Sequence, residues 1–251
     1  MLEEFSLLQY NIVFNAFSFG LATMMAATLF LWLGRSQVAE GYKTAVTISG
    51  LVTFIAAYHY LQIMFSWEGA FSVTGGEVSV TGKEYNQAYR YVDWLLTVPL
   101  LLVELILVMN LSKSETVKKA WTLGIAAAVM VALGYPGEIS SDAGTRWTWW
   151  VLSMIPFLYI VYQLFFGLKE SIDRQPDDVK GLVGMARWLT LLAWAFYPIV
   201  FIFPMIGLEG ATATTAVEVG YTIADIVAKA VFGVLIFTIA LRKSKSEKGI
   251  L

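Results

Sequence analysis

Residues 86–111 read NQAYRYVDWLLTVPLLLVELILVMNL, a largely apolar stretch that nonetheless carries Arg90, Asp93 and Glu104. A helix needs roughly 20 mostly apolar residues to cross about 30 Å of hydrocarbon. The stretch is long enough to span, so its three charges must be accommodated inside a membrane. Stretches 5–34, 44–67, 147–168 and 188–208 contain no Asp, Glu, Lys or Arg. Stretch 120–137 is shorter, and 215–241 carries charge like 86–111. The expected spans are therefore about 5–34, 44–67, 86–111, 118–136, 147–168, 186–208 and 215–241, a seven-transmembrane-helix bundle of the all-α membrane class in one domain over 1–251.

Composition agrees. The chain is 58% apolar and 14% charged, whereas a soluble domain carries charge on about a quarter of its residues. Most of its surface must face a lipid bilayer. The absence of cysteine excludes disulfides, thiol catalysis and thiolate metal sites, and one histidine leaves no ligand set for multi-histidine zinc. A net charge of −2 offers no basic face to nucleic acid. The N-terminal Met-Leu-Glu-Glu lacks the basic region of a secretory signal, so the first apolar run is expected to be a true span.

Cytoplasmic loops carry the excess of Lys and Arg. Thirteen of the seventeen basic residues fall in 35–43, 112–119, 169–187 and the tail after 241; only Lys83 and Arg146 fall on the other side. The N-terminus is therefore expected outside and the C-terminus in the cytoplasm of a multi-pass plasma-membrane protein. Glu3, Glu4, Glu68, Glu77, Glu84, Glu138, Asp142, Glu209 and Glu218 then face outward. Phe71-Ser-Val-Thr-Gly-Gly-Glu-Val-Ser-Val alternates around Gly75-Gly76, the signal of a short extracellular β-hairpin between helices 2 and 3.

Five charged residues remain deep inside spans, away from their ends: Arg90, Asp93, Glu104, Asp225 and Lys229. Each costs about 2.5–3.5 kcal/mol near a bilayer centre, and such residues mark functional pathways. Asp93 and Thr97 are four apart and Asp93 and Glu104 eleven apart, which places all three on one helix face with the carboxylates about 16 Å apart along the axis. Asp225 and Lys229, also four apart, share a face of the seventh helix. Arg90 and Lys229 can offset Asp93 and Asp225; Glu104 has no cation of its own and is expected to keep its proton, because burial disfavours the charged form. An anion outside a central cation and a neutral acid inside it make a directed proton relay. A purely structural cluster would account for Arg90 with Asp225 but not for Glu104. His59 falls at about the depth of Asp93 and is expected to pair with it. Trp94, Trp150, Trp194, Tyr197 and Tyr221 lie at mid-depth, where Trp and Tyr are otherwise rare, while Trp67, Trp147 and Trp149 fit the interfacial belt. Aromatics around a desolvated lysine suggest a slot for a flat conjugated ligand held as a Schiff base.

These residues resemble the proton-pumping microbial rhodopsins of the proteorhodopsin and xanthorhodopsin branch. Arg90-Tyr-Val-Asp93-Trp-Leu-Leu-Thr97-Val-Pro-Leu-Leu-Leu-Val-Glu104 is similar to their third-helix signature, Asp225-Ile-Val-Ala-Lys229 to their retinal-attachment helix and Trp194-Ala-Phe-Tyr197-Pro198 to their sixth helix. Gly134-Tyr-Pro-Gly-Glu-Ile-Ser is similar to the stretch after their fourth. The resemblance implies all-trans retinal on Lys229 as a protonated Schiff base, Asp93 as primary counterion and proton acceptor, Asp225 as second counterion and Glu104 as proton donor. It makes His59 the partner of Asp93, Arg90 the outer gate and Thr97 the middle of the Asp-Thr-Glu triplet. Trp94, Met130, Gly134, Trp150, Ser153, Trp194, Tyr197, Pro198 and Phe201 match retinal-pocket positions, to which the mid-depth Tyr221 is added. Leu101 matches the tuning site where leucine goes with green absorption. Trp150 stands where several relatives have the glycine that opens a window for a carotenoid antenna, so no antenna is expected; Ala230 stands where xanthorhodopsin-like relatives often have proline. The function implied is a light-driven outward proton pump, with protons as cargo, no enzymatic activity, and a homo-oligomer, pentamer or trimer, as its assembly. The alternative is a retinal photosensor signalling to a transducer.

Overall fold

A computed structural model of the chain describes residues 4–247; Glu3 and the tail residue Lys248 lie outside them. Among the described residues seven helices are long and apolar enough to cross a membrane: α1 (Leu7–Gly34), α2 (Glu40–Ala70), α3 (Ala88–Val108), α4 (Lys113–Glu138), α5 (Ala143–Tyr162), α6 (Asp177–Phe201) and α7 (Ala211–Glu247). β1 (Phe71–Thr74) and β2 (Glu77–Val80) form the antiparallel hairpin between α2 and α3, with Thr74 opposite Glu77. Its two-residue turn needs positive φ at both positions, and Gly75 and Gly76 supply φ of 64° and 90°.

Several helices run past the apolar stretches because their ends are written in polar residues. Ser112 and Glu115 make a reciprocal capping box that starts α4 among lysines; Ser6 and Gln9 make another for α1, which keeps within its apolar stretch. Pro176 precedes α6 and Asp177 and Asp178 fill its first turn, where acidic side chains favour the helix dipole. The inner part of 169–187, expected as a loop, is therefore mostly helical. α5 ends differently, widening into a π-turn at Gln163–Gly167.

Consecutive helices pack side by side, and α7 closes the ring against α1 while also touching α2 and α3. α3 and α7 are the most enclosed helices; α4 and α5 are the least. Outward faces present Phe19, Leu33, Phe54, Ile155 and Leu192, which suits a lipid solvent rather than water. Trp67, read as a belt residue, is instead fully buried among Phe5, Tyr10, Phe17, Phe71 and Tyr85 at the C-terminal end of α2. Gly20 of α1 fixes the approach of α2: a Cβ there would stand 2.7 Å from the Tyr60 ring, and the Tyr60 hydroxyl is needed at the site below.

Candidate functional site

The charges of α3 and α7 meet on the bundle axis. The Lys229 ammonium donates to Asp93 Oδ2 and stands 3.0 Å from Asp225 Oδ1, with all three side chains sealed from solvent. Around Lys229 the backbone of α7 widens into a π-turn over Ile226–Val231, a distortion that occurs preferentially at functional sites. Asp225 is held by three further donors, Tyr197 Oη at 2.6 Å, Tyr60 Oη at 3.0 Å and Trp94 Nε1 at 3.3 Å. Asp93 is held less: its Oδ1 is buried without a hydrogen-bond partner among the described residues.

His59 is the nearest approach to that oxygen. Its Nδ1 lies 3.9 Å from Asp93 Oδ1 and 2.9 Å from the Ile55 carbonyl. A carbonyl can only accept, so the Ile55 contact fixes a proton on Nδ1. His59 is beside Asp93, as its depth suggests, but gives its hydrogen bond to its own helix. Thr97 likewise donates to the Asp93 carbonyl at 2.8 Å rather than to the carboxylate. Glu104 is fully enclosed further along α3; neither carboxyl oxygen has a partner in hydrogen-bonding geometry among the described residues.

Arg90 reaches Asp225, as the charge balance expects, and also holds a second, closer carboxylate. Its Nη2 binds Glu218 Oε2 at 2.5 Å, and its Nη1 is 3.9 Å from Asp225 Oδ2. The guanidinium sits over the rings of Tyr221, Phe17 and Tyr60. Glu218, counted among outward-facing acids, is fully buried and also accepts from Tyr85 Oη at 3.2 Å. Its signal was its spacing, seven residues before Asp225 and so two turns along the same face.

Beside the triad lies an aromatic cavity that reaches Lys229 and Asp225. Trp94, Leu101, Met130, Gly134, Trp150, Ser153, Trp194, Tyr197, Pro198, Phe201 and Tyr221 all line it. Tyr91, Val98, Val131, Met154, Phe157 and Ala228 complete the wall and were not singled out from sequence. Trp150 Nε1 donates to the Pro198 carbonyl at 2.9 Å, and Ser153 Oγ to the Met130 carbonyl at 2.9 Å, so polar groups of the wall are satisfied by the wall.

Residues 13–243 match the family of bacteriorhodopsin-like proteins. The chain belongs to that family. Within it, the chain is 32% identical to the blue-light absorbing proteorhodopsin of Gamma-proteobacterium Hot 75m4, over 91% of this chain and 87% of that one. It is 29% identical to the green-light absorbing proteorhodopsin of Gamma-proteobacterium EBAC31A08, over 90% and 85%. The crystal structure of xanthorhodopsin, described as a light-driven ion pump with dual chromophore, superposes with a TM-score of 0.95 at 50% identity over 99% of both chains. The chain is thus a microbial rhodopsin of the proteorhodopsin and xanthorhodopsin type, in a family that includes light-driven proton pumps. Membership implies a retinal bound to a lysine. Among the described residues two lysines are buried: Lys229, midway along α7 and lining the aromatic cavity, and Lys243, near the C-terminal end of α7. A cavity walled by rings, with the Lys229 ammonium and the Asp225 carboxylate at one end, fits a long conjugated aldehyde-derived group.

Proposed function

We propose that this microbial rhodopsin is a light-driven outward proton pump carrying all-trans retinal on Lys229. The group supplies light absorption and an isomerisation that changes how strongly Lys229 Nζ holds its proton. The wall residues orient it: Trp94, Trp194 and Tyr197 bound the slot, and Trp150, tied to Pro198, closes its side, which supports a chain without a carotenoid antenna. Asp93 Oδ2, already bonded to Nζ, accepts the proton. Asp225, with three other donors, is the worse acceptor and stays the counterion, because each bond to the ionised form favours that form. Arg90, bound to Glu218, closes the path on the outer side of Asp93. Glu104 then refills Nζ and is itself refilled from the cytoplasm. His59, beside Asp93, tunes the acceptor.

The observation that carries this reading is Glu104, a fully buried carboxyl on the Asp93 face of α3 with no cation beside it among the described residues and Ser49 as its polar neighbour. A sensor signalling to a transducer has no need of a second acid there. The same reading places the N-terminus outside, with one seven-helix unit per chain and a pentameric or trimeric homo-oligomer in the plasma membrane. Its work is to move a proton, not to make a product.

The test is external pH in an unbuffered, retinal-fed suspension of cells expressing the chain, lit with and without a protonophore. Acidification in light that the protonophore abolishes is the expected result. Coloured cells with no pH change would favour the sensor. Alkalinisation enhanced by protonophore would mean that another ion moves.

A further inference from the structure

The relay uses one buried lysine and leaves the other without a task. Lys243 is 7% exposed, and among the described residues no carboxylate comes within ion-pair distance of it; Glu247, bonded to the Tyr42 hydroxyl whose ring the ammonium faces, attracts it from further off. Its ammonium instead donates to Gln175 Oε1 at 2.7 Å, the Met109 carbonyl at 2.9 Å and the Val108 carbonyl at 3.1 Å. Three donors meet three neutral acceptors, so the group is saturated and is not a ligand site. Gln175 is fixed in turn, donating from Nε2 to the Met109 and Ser171 carbonyls. The knot joins α7, the inner end of α3 and the connection into α6. Carbonyls at a helix C-terminus lack helical partners and carry the negative end of the dipole, which is where a cation without a carboxylate can rest.

The position matters more than the bonding. Val108 stands one turn beyond Glu104 on the same face of α3. On α7, Ile239 and Ile236 lie four and seven residues before Lys243 on its face, both fully buried. On the other side of Lys243 is a cavity of about 290 Å³, lined in part by Tyr42, Asn110, Glu115 and Arg174. Along the bundle the order is cavity, Lys243, an apolar layer at the level of Glu104, and Lys229.

We propose that Lys243 is the inner gate of the proton path: a positioning residue whose ammonium ties the end of α3 to α7 and Gln175, keeping water from Glu104 until the tie opens. The proposal rests on Glu104 being the inner donor. Two effects close the gate. The ammonium occupies three buried oxygens that would otherwise call for water, since buried polar groups do not stay unpaired. Its charge also opposes entry of another cation. Opening requires only that α7 or the α5–α6 connection shift enough to lengthen these bonds, whereupon water from the mouth fills the vacated acceptors and reaches Glu104.

The experiment uses the full chain with retinal, in lipid vesicles in the dark, and follows deuteration of the Glu104 carboxyl by infrared spectroscopy after transfer to D2O. The band is identified by its loss in Glu104→Gln. Lys243→Met keeps the stem and removes the charge; exchange is expected to accelerate about tenfold, the scale of one lost charge-assisted bond. Lys243→Arg restores a cation and is expected to return exchange to the parent rate, whereas a merely structural tie would leave all three rates alike. Exchange in Lys243→Met within about twofold of the parent, a small part of that bond's worth, overturns the gate. So does a Lys243→Arg chain as fast as Lys243→Met. If Lys243→Met yields no folded protein, Gln175→Leu removes one acceptor of the ammonium and must accelerate exchange too; an unchanged rate there sinks the proposal equally. Light-driven acidification by the parent chain is recorded alongside. Gated exchange in a chain that does not pump leaves the gate standing and removes the pump.

Discussion

Arg90 of α3 and Glu218 of α7 form a buried ion pair, Nη2 to Oε2 at 2.5 Å, on the N-terminal side of the Lys229 triad along both helices. Because Glu218 holds the guanidinium, Arg90 stays 3.9 Å from Asp225, which remains free to face Lys229. Removing one partner of a buried pair leaves an uncompensated charge and costs roughly 3–5 kcal/mol. Glu218→Leu is therefore expected to lower the thermal bleaching midpoint by many degrees. It is also expected to shift the absorption band, as Arg90 turns toward Asp225. A variant that melts and absorbs like the parent would show that Glu218 does not hold Arg90.

That pair marks the limit of what the sequence makes legible. Asp93, Thr97 and Glu104, and Asp225 with Lys229, were readable because helix geometry converts spacing into a shared face, and a charge inside an apolar run is conspicuous. Glu218 sits where the same run begins, and its one local signal is the seven-residue spacing to Asp225; its partner is 128 residues away. The π-turn at Ile226–Val231 had no signal either, since Ile-Val-Ala-Lys-Ala-Val holds neither Gly nor Pro. His59 was placed at the right depth, but which oxygen takes its proton depends on ring orientation, and the ring serves Ile55. The fold was the easier part, because a bilayer demands long apolar helices and little else.

Lys229→Ala is expected to abolish colour and pumping together. Reductive trapping of retinal-fed parent protein followed by peptide mass spectrometry should find the adduct on the peptide containing Lys229. An adduct on Lys243 would contradict the assignment, since that ammonium is saturated by Gln175 and the end of α3 and borders a different cavity.

Trp150→Gly tests the closed side of the slot. The indole spans to the Pro198 carbonyl and packs edge-on against Trp147 at 5.7 Å, so its removal opens a gap between α5 and α6. Parent protein mixed with a carotenoid should show no carotenoid band after purification. The glycine variant should retain one, at a cost of about 3 kcal/mol or less in stability, because a half-buried ring loses less than a core one. Carotenoid retained by the parent would mean that Trp150 does not close the window.

Glu104→Gln separates pump from sensor at the level of one proton. The amide has nearly the same volume and no charge, so the enclosed site should fold as before, and the dark absorption band should stay put because Glu104 does not touch the aromatic cavity. What the variant cannot do is give a proton to Nζ. A positioned acid or base is worth about 10²-fold or more in a proton-transfer step, so flash spectroscopy should show early transfer to Asp93 unchanged and recovery slowed by that order. Steady pumping should fall with it. Azide, a small diffusible acid, should restore recovery in proportion to its concentration by delivering the proton Glu104 no longer carries. Recovery at the parent rate without azide would mean that the unpaired carboxyl is not in the path, and the directed relay would lose its inner half.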